Sequence, residues 1–277
     1  MKRIDFHVHC NIGDQTDVEK LAATARETES LMVLSGGLRY GSEDYLPNEQ
    51  VLEICQRYSD VFLPLAKADL WENADPSVVA RWKEQKFAGV KFIYPWHPYD
   101  HDLYMPFYAE CEKYGMPVLF HTGLFRASEA DAVHQRPTLK NMHPLTLDRI
   151  ARSFPKLKIV MAHMGTRIFR EEAADLIRAH SNLYADLAGC GSWLGVSPQK
   201  LDDLLAPFPR AFTRSNIFSG YEKLVFGSDS YVNMPEIHKE ALASYNNLLF
   251  VNGVPAEIQQ KIMGGTVAGW LGISLEK

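Results

Sequence analysis

The chain has 277 residues, of which 46% are hydrophobic and 23% charged, a balance that allows a large core without disulfides. Its net charge of -5 argues against nucleic acid as a partner, because surfaces that bind nucleic acid are basic. No run reaches the roughly 18 consecutive apolar residues that a membrane helix needs, and the polar start MKRIDFHVHC is unlike a signal peptide.

Short apolar runs rich in β-branched residues recur along the chain and predict eight strands. Most of the runs are apolar throughout, as in parallel strands that are covered on both faces. In chain order the predicted strands are Arg3–His9, Leu31–Ser35, Val61–Ala66, Gly89–Tyr94, Pro117–His121, Lys158–His163, Asn182–Leu187 and Lys223–Gly227.

Segments with helical spacing separate most of these strands. The predicted helices are Val18–Glu29, Pro76–Gln85, Asp102–Tyr114, Thr146–Phe154, Arg170–Ala179, Gln199–Leu205 and Pro235–Leu249, followed by one or two closing helices in Pro255–Ile273. Alternation of strand and helix indicates parallel βαβ units, and eight units in this length favour a closed barrel over an open sheet. The absence of Gly-x-Gly-x-x-Gly after the first strand disfavours a dinucleotide-binding sheet. We therefore expect an α/β protein whose residues 1–277 form one (β/α)8 TIM-barrel domain.

Polar residues lie at or just after the ends of four predicted strands. His7 and His9 end the first strand, His121 and His163 end the fifth and sixth, and Asp229 follows the eighth. Each alone has an ordinary structural explanation, such as a buried histidine bonded to a carbonyl or an aspartate that caps a helix. In a barrel, however, the carboxyl ends of the strands carry the chemistry. Together these residues predict a site for a divalent metal ion.

The succession of motifs HxH, HTG, AHMG and GSDS resembles the amidohydrolase superfamily. More narrowly, it is similar to the amidohydrolase-related branch that includes aminocarboxymuconate-semialdehyde decarboxylase and γ-resorcylate decarboxylase. The resemblance runs from Ile4 to the C-terminus and includes the approach to the sixth strand and the Gly264–Gly272 ending. These motifs are specific for the fold and the metal site but not for the reaction, since the family contains hydrolases, decarboxylases and hydratases.

The resemblance implies that one divalent metal ion is held by four residues, His7, His9, His121 and Asp229. Zinc is expected, with manganese as the alternative, because imidazole and carboxylate ligands suit both. His163 would act beside the metal as a polarising or proton-transferring group, or as a ligand of a second ion. Lys91 matches a lysine that is carbamylated and bridges two metals in binuclear relatives. We expect instead one metal and a Lys91 ammonium that neutralises a carboxylate.

The reaction implied is hydrolysis of a lactone, ester or amide, with a metal-activated water as the nucleophile and Asp229 as the proton shuttle. The alternative is a metal-dependent non-oxidative decarboxylase of a small unsaturated or aromatic carboxylic acid, in which Asp229 or His163 protonates carbon. A barrel without activity is disfavoured, because every expected type of ligand is present. The chain is shorter than typical aromatic-acid decarboxylases of this branch, which favours hydrolysis.

The substrate contacts are predicted in the loops that follow the strands. Arg126, in the long polar stretch Leu124–His143, is a candidate for binding a substrate carboxylate, although a solvated surface arginine is as reasonable. Lys91 and Tyr94, in and after the fourth strand, are the other candidates. Cys10 is interpreted as structural. We expect a small-molecule substrate, a cytoplasmic location from the four widely spaced cysteines, and, from the resemblance, a homodimer.

Overall fold

A computed structural model of the chain describes residues 2–11, 15–36, 46–71, 74–125, 127, 138–191, 194–206 and 220–275. Within these residues eight strands form one sheet in which all neighbouring strands are parallel. They are β1 (Arg3–His9), β2 (Ser30–Ser35), β3 (Phe62–Ala68), β4 (Val90–Phe92), β5 (Val118–His121), β6 (Ile159–Ala162), β7 (Leu183–Ala185) and β8 (Ser230–Tyr231).

The order of strands across the sheet is β7-β6-β5-β4-β3-β2-β1-β8. Beyond β7, Ala185 forms an isolated parallel bridge with Leu224, and Val225 N donates to Ala185 O at 2.9 Å. On the other side of this segment, Phe6 N donates to Phe226 O at 3.0 Å. The segment that leads into β8 thus lies between β7 and β1. The sheet is therefore curled in the manner of a TIM barrel, and the predicted α/β class is confirmed.

The eighth strand differs from its prediction. Lys223 ends a short 3₁₀ helix, Tyr221–Lys223, and the regular pairing with β1 falls at Ser230 and Tyr231 rather than in Lys223–Gly227. The predicted segment is extended but makes single bonds to β7 and β1 instead of a continuous ladder. An apolar run predicts that a segment is buried, but the run cannot specify which of its residues enter the ladder.

Helices flank the sheet. They are α1 (Gln15–Glu27), α2 (Asn48–Arg57), α3 (Val78–Glu84), α4 (Met105–Lys113), α5 (Thr146–Ser153), α6 (Arg170–Ala179), α7 (Pro198–Leu205), α8 (Glu236–Val251), α9 (Ala256–Gln260) and α10 (Thr266–Leu271). Helix α2 was not predicted from the sequence, although Val51 and Cys55 are buried one turn apart on it. None of the helices in the described ranges is both long and apolar enough to cross a membrane.

A break in the register of β1 decides which side chains face the inner side of the sheet. The pairing of β1 with β2 shifts between Asp5 and Val8, as at a β-bulge. Ile4 and Phe6 pack in an inner cluster with Val33, whereas Val8 packs with the helices. His7 nevertheless contacts residues of other strands across the inner side. The bulge therefore lets Phe6 and its neighbour His7 both face inward.

The C-terminal helices lie against the start of β1. Phe226 N donates to Ile262 O at 2.8 Å, and the Trp270 ring packs edge-on at 6.3 Å from the Phe6 ring. A Cβ at Gly264 would stand 2.6 Å from Ile4 N, so the close approach of the two chain segments requires a glycine there.

Candidate metal centre

Three of the four predicted metal ligands meet at the carboxyl end of β1, with Asp229 directly before β8. His7 Nε2 lies 3.2 Å from His9 Nε2. Asp229 Oδ1 lies 3.1 Å from His9 Nε2 and 3.5 Å from His7 Nε2. All three side chains are buried, and the ligand atoms they offer lie within 4.8 Å of one another. Two imidazoles and a carboxylate in this arrangement could hold a metal ion.

His121, the fourth predicted ligand, stands beside this group. Within the described residues two groups have metal-ligand spacing, His7–His9–Asp229 and His7–His163–Asp186, and His121 is in neither. Its ring centre is 4.8 Å from that of His163, which in turn is 5.1 Å from that of His7. His121 Nε2 is buried and has no hydrogen-bond partner among the described residues. A buried imidazole nitrogen without a partner is uncommon and is what a metal ligand looks like when no ion is present.

His163 is held by its own hydrogen bond. Its Nδ1 lies 3.1 Å from Ala188 O, and a carbonyl only accepts, so His163 carries its proton on Nδ1. In the neutral tautomer with this proton, the lone pair lies on Nε2. Because the side chain is 2% exposed and its ring lies against those of His7 and His121, it belongs to the same buried centre.

Asp186 is a further member of this centre and was not predicted from the sequence. It follows β7, is 1% exposed, and places Oδ2 at 3.0 Å from His7 Nδ1. Its Oδ1 accepts from the backbone N–H groups of His163 at 2.7 Å and Ala188 at 3.0 Å. The rule that polar residues at strand ends carry function could have found it, since Asp186 is near the end of the predicted strand Asn182–Leu187.

Lys91 enters the site from the middle of β4. Its Nζ lies 2.8 Å from His7 Nε2, and the side chain is 1% exposed. Burial lowers the pKa of Lys91 to about 8, against the opposing effect of Asp186 and Asp229, whose carboxylates favour the charged form. Lys91 is therefore close enough to both carboxylates for them to stabilise its charge.

The backbone is strained where the site residues leave their strands. Tyr94, His163 and Asp229 have φ values of 56°, 62° and 64°, in the left-handed region that costs non-glycine residues energy. Asp229 is kept there in part by its N–H, which donates to His7 O at 2.9 Å. Residues in strained backbone conformations persist only where surrounding contacts hold them in place, and they cluster at functional sites.

The ionisation states of the cluster suit metal binding. Burial, assisted by Lys91, lowers the pKa of His7 to about 4, and burial also lowers the pKa values of His9 and His121. All three are therefore neutral at pH 7, the form that binds metals. Burial alone would raise the pKa of Asp229, but His163, His9 and His7 outweigh it and hold that pKa well below its usual range.

Of the predicted substrate-binding residues, Tyr94 lies within the described part of the chain and Arg126 does not. Tyr94 is half-buried, and its ring packs edge-on at 5.5 Å from the Phe125 ring. Its carbonyl accepts from Trp71 Nε1 at 3.3 Å, and the Trp71 ring stacks on that of Trp96 at 5.3 Å. These residues lie in the segments that follow β3, β4 and β5 and form an aromatic wall at the carboxyl end of the sheet. Arg126 lies outside the described residues.

Cys10, adjacent to His9, is buried in the cluster that includes Leu21 and Cys55 rather than in the site. Burial raises the pKa of its thiol to about 12, so it is not a nucleophile at neutral pH. This agrees with its interpretation as structural. Three further histidines make contacts elsewhere: His101 accepts from Leu103 N, His180 pairs with Asp148, and His238 with Asp5.

Known structures share this fold. A probable 2-pyrone-4,6-dicarboxylic acid hydrolase from Acinetobacter baumannii, with citric acid bound, is 14% identical with a TM-score of 0.65, covering 99% of this chain and 100% of its own. A 2,6-dihydroxybenzoate decarboxylase from Rhizobium is 16% identical with a TM-score of 0.61, covering 98% and 99%. A dihydroxybenzoic acid decarboxylase from a Polaromonas species, with manganese and the inhibitor 2-nitroresorcinol, is 14% identical with a TM-score of 0.58, covering 98% and 96%.

Sequence comparison identifies the family. No curated protein matches the chain. The sequence profile described as "Amidohydrolase" matches residues 4–273. The structural neighbours named above include both hydrolases and decarboxylases, so the comparisons do not distinguish between these reactions. Because the profile spans almost the whole sequence, this chain belongs to the amidohydrolase family.

Proposed function

We propose that this protein is a metal-dependent hydrolase that cleaves a lactone, ester or amide bond of a small carbonyl substrate. The observation that carries the proposal is the buried group of His7, His9 and Asp229 at the carboxyl end of β1, with ligand atoms within 4.8 Å of one another. In barrels of this type the active site lies at that end of the sheet.

The donor set fits a divalent metal ion. We propose that His7, His9, His121 and Asp229 hold one ion, zinc or manganese, since neutral imidazoles and a carboxylate suit both. The partnerless, buried Nε2 of His121 supports this assignment, because a metal would satisfy it. A bound divalent ion would polarise a substrate carbonyl and lower the pKa of a water molecule.

The residues of the chain would supply the proton transfer. Asp229 is ionised at neutral pH, so one of its carboxylate oxygens can take a proton from the attacking water and return it to the leaving group. The His163 ring lies against those of His7 and His121, and we propose that it orients the substrate or receives a proton there. We propose that the Lys91 ammonium binds an anionic group of the substrate and that Tyr94 and Arg126 line the pocket.

Decarboxylation of a small unsaturated or aromatic carboxylic acid is the second candidate. The buried amine of Lys91 favours it, because a carboxylate substrate would neutralise that charge. In this reaction Asp229 or His163 would take a proton from water and pass it to the carbon from which carbon dioxide leaves. The expectation drawn from chain length carries little weight, since the alignment spans 99% of the Rhizobium decarboxylase.

Metal content is the first test. Elemental analysis of protein purified without added metal should give about one equivalent of zinc or manganese, and a His7→Ala/His9→Ala variant should have none. A wild-type protein that binds no metal even after reconstitution would refute the proposed function. Two equivalents would instead support a second ion bridged by Lys91.

The reaction itself can be assigned with labelled water. Lactones, esters and amides would be screened alongside aromatic and unsaturated acids in H₂¹⁸O. Hydrolysis places ¹⁸O in the carboxylate product, whereas decarboxylation releases carbon dioxide and leaves a new C–H bond. Release of carbon dioxide with no hydrolysis of any substrate would replace the first candidate by the second.

We further propose that the chain is a single domain and acts as a cytoplasmic homodimer. Its four cysteines are free thiols, which suits a reducing compartment. Light scattering at micromolar concentration should give twice the chain mass of 31.4 kDa, and a clean monomer would contradict the dimer.

A further inference from the structure

The carboxylate of Asp186 links two members of the candidate metal centre. Oδ2 contacts His7 Nδ1 at 3.0 Å, and Oδ1 accepts from the backbone N–H groups of His163 and Ala188. Both oxygens are thus engaged by N–H groups of the protein. A carboxylate in this position would have to give up these bonds to become a metal ligand itself.

The neighbours of His7 specify one tautomer. An ionised carboxylate only accepts hydrogen bonds, so the contact with Asp186 requires a proton on His7 Nδ1. On the opposite edge of the ring, Lys91 Nζ lies 2.8 Å from Nε2. With the Nδ1 proton held by Asp186, the lone pair of the neutral His7 ring lies on Nε2. That atom faces His9 Nε2 and Asp229 Oδ1.

Two features of the surrounding chain, at Gly227 and at His163, support the contact between Asp186 and His7. A Cβ at Gly227 would stand 2.9 Å from Asp186 Oδ2 and 2.9 Å from His7 Cβ, so any side chain there would push the two residues apart. His163, whose N–H is held by Asp186, begins a turn in which four successive residues, His163 to Thr166, have positive φ. Such a turn needs outside hydrogen bonds to keep its conformation.

We propose that Asp186 is a positioning residue that keeps His7 in its Nδ1-protonated tautomer and thereby sets the affinity of the site for a divalent metal. The role of Asp186 in metal affinity rests on the proposed function, whereas the His7 tautomer is a property of the metal-free protein. Partners of this kind orient metal-binding histidines, and their loss typically weakens metal binding roughly 10- to 100-fold.

Asp186→Asn tests the proposal at nearly constant shape. The two backbone N–H groups require the amide oxygen, so the amide NH₂ must face His7 Nδ1, which then has to accept. We expect ¹⁵N NMR of the metal-free protein to show His7 protonated on Nδ1 in the wild type and on Nε2 in the variant. The His7 signals are assigned with a His7→Gln variant. Titration calorimetry with zinc chloride should show an affinity lower by roughly 10- to 100-fold.

Thr122→Val is the matched control. The Thr122 hydroxyl donates to Ala162 O at 2.7 Å and accepts from Gly165 N at 3.1 Å, so this variant disturbs the same turn without touching His7. It should lower thermal stability but leave the His7 tautomer and the zinc affinity unchanged. An equal loss of zinc affinity in both variants would mean that Asp186 acts only through the fold, and would overturn the proposal.

Two further outcomes separate this inference from the proposed function. A wild-type His7 protonated on Nε2, or a His7 that keeps its Nδ1 proton in Asp186→Asn, overturns the inference even if the protein binds zinc. A wild-type protein that binds no zinc refutes the proposed function and with it the role in affinity, while the NMR still decides the tautomer. If Asp186→Asn does not fold, Gly227→Ala separates the same two side chains and should weaken zinc binding in the same direction.

Discussion

His238 Nδ1 lies 2.7 Å from Asp5 Oδ2, with both side chains fully buried between β1 and α8. The second oxygen of Asp5 accepts from His7 N at 3.2 Å and from Ser228 N at 3.0 Å. This one carboxylate therefore joins a helix on the outer side of the sheet to the two chain segments that carry the candidate metal ligands.

Loss of the Asp5 carboxylate should destabilise the folded protein. Asp5→Ala leaves His238 and two buried N–H groups without an acceptor, and we expect the free energy of unfolding to fall by about 3–5 kcal/mol. Urea denaturation measures the change. Asp60→Ala, which breaks the exposed pair with Arg26, is the control and should have little effect. Equal effects in the two variants would show that the buried network adds nothing to stability.

Asp229 is proposed to transfer the proton, and Asp229→Asn should separate that role from metal binding. The amide keeps the shape and one ligand oxygen but cannot accept a proton. We expect kcat to fall by roughly 10²- to 10⁴-fold while most of the metal remains, measured by steady-state kinetics and elemental analysis. Asp203→Asn, an exposed carboxylate on α7, should leave both values unchanged. Turnover at the wild-type rate in Asp229→Asn would remove the proton-shuttle assignment.

Lys91 distinguishes a single metal from a bridged pair. We expect Lys91→Met to keep about one equivalent of metal and to bind carboxylate inhibitors about 10-fold more weakly or worse, because a hydrogen bond from a charged group is lost. Metal analysis and inhibition constants measure the two effects. A wild-type protein with two equivalents, reduced in the variant, would instead indicate a bridging lysine.

Gly123 sets how closely the ends of β5 and β6 approach. Its φ is 85°, and a Cβ there would overlap Gly165 O. Gly123→Ala should therefore destabilise the protein well beyond Gly115→Ala, which has a similar φ of 61° but no neighbour within 4 Å. The control should cost about 1–2 kcal/mol from backbone strain alone. Similar melting temperatures for the two variants would exclude a packing role for Gly123.

Lys223 should make stability depend on pH. It is 3% exposed, donates to Ser181 O at 2.9 Å, and lies 4.1 Å from the Tyr184 ring centre. Burial, with a smaller effect from Lys158, lowers its pKa from 10.5 to about 8. Below pH 8 the lysine is charged in both folded and unfolded states, so the penalty for burying the charge is fully present. Between pH 8 and 10.5 only the folded state has lost the proton, and stability rises with pH.

The measurement compares melting temperatures of the wild type and Lys223→Met from pH 7 to 10. The melting temperature of the wild type should rise relative to that of Lys223→Met as the pH increases. The contributions of all other titrating groups are the same in both proteins and cancel in this comparison. A difference that stays constant over this range would show that the pKa of Lys223 is not lowered.

Much of the fold could be predicted from the sequence because it depends on local patterns. β1 and α6 have the bounds that apolar runs and helical spacing predicted, and most other elements agree within two or three residues. The exceptions are α2, which was missed, and β8. In the second case the apolar run is buried as expected, but its ladder to β1 begins only at Ser230, a matter of pairing between distant segments.

For the candidate site, the sequence by itself determined which kinds of residue stand at the strand ends: the HxH of β1, His121, His163 and Asp229. Only the tertiary structure decided their arrangement. The bulge in β1 turns His7 inward beside Phe6, and Asp186 contacts Nδ1 of His7. The His121 ring packs against that of His163, and among the described residues His121 belongs to neither group with metal-ligand spacing. The physical reason is that strand alternation and motif spacing act over a few residues. The tautomer of a histidine depends instead on partners such as Asp186, 179 positions away in the chain.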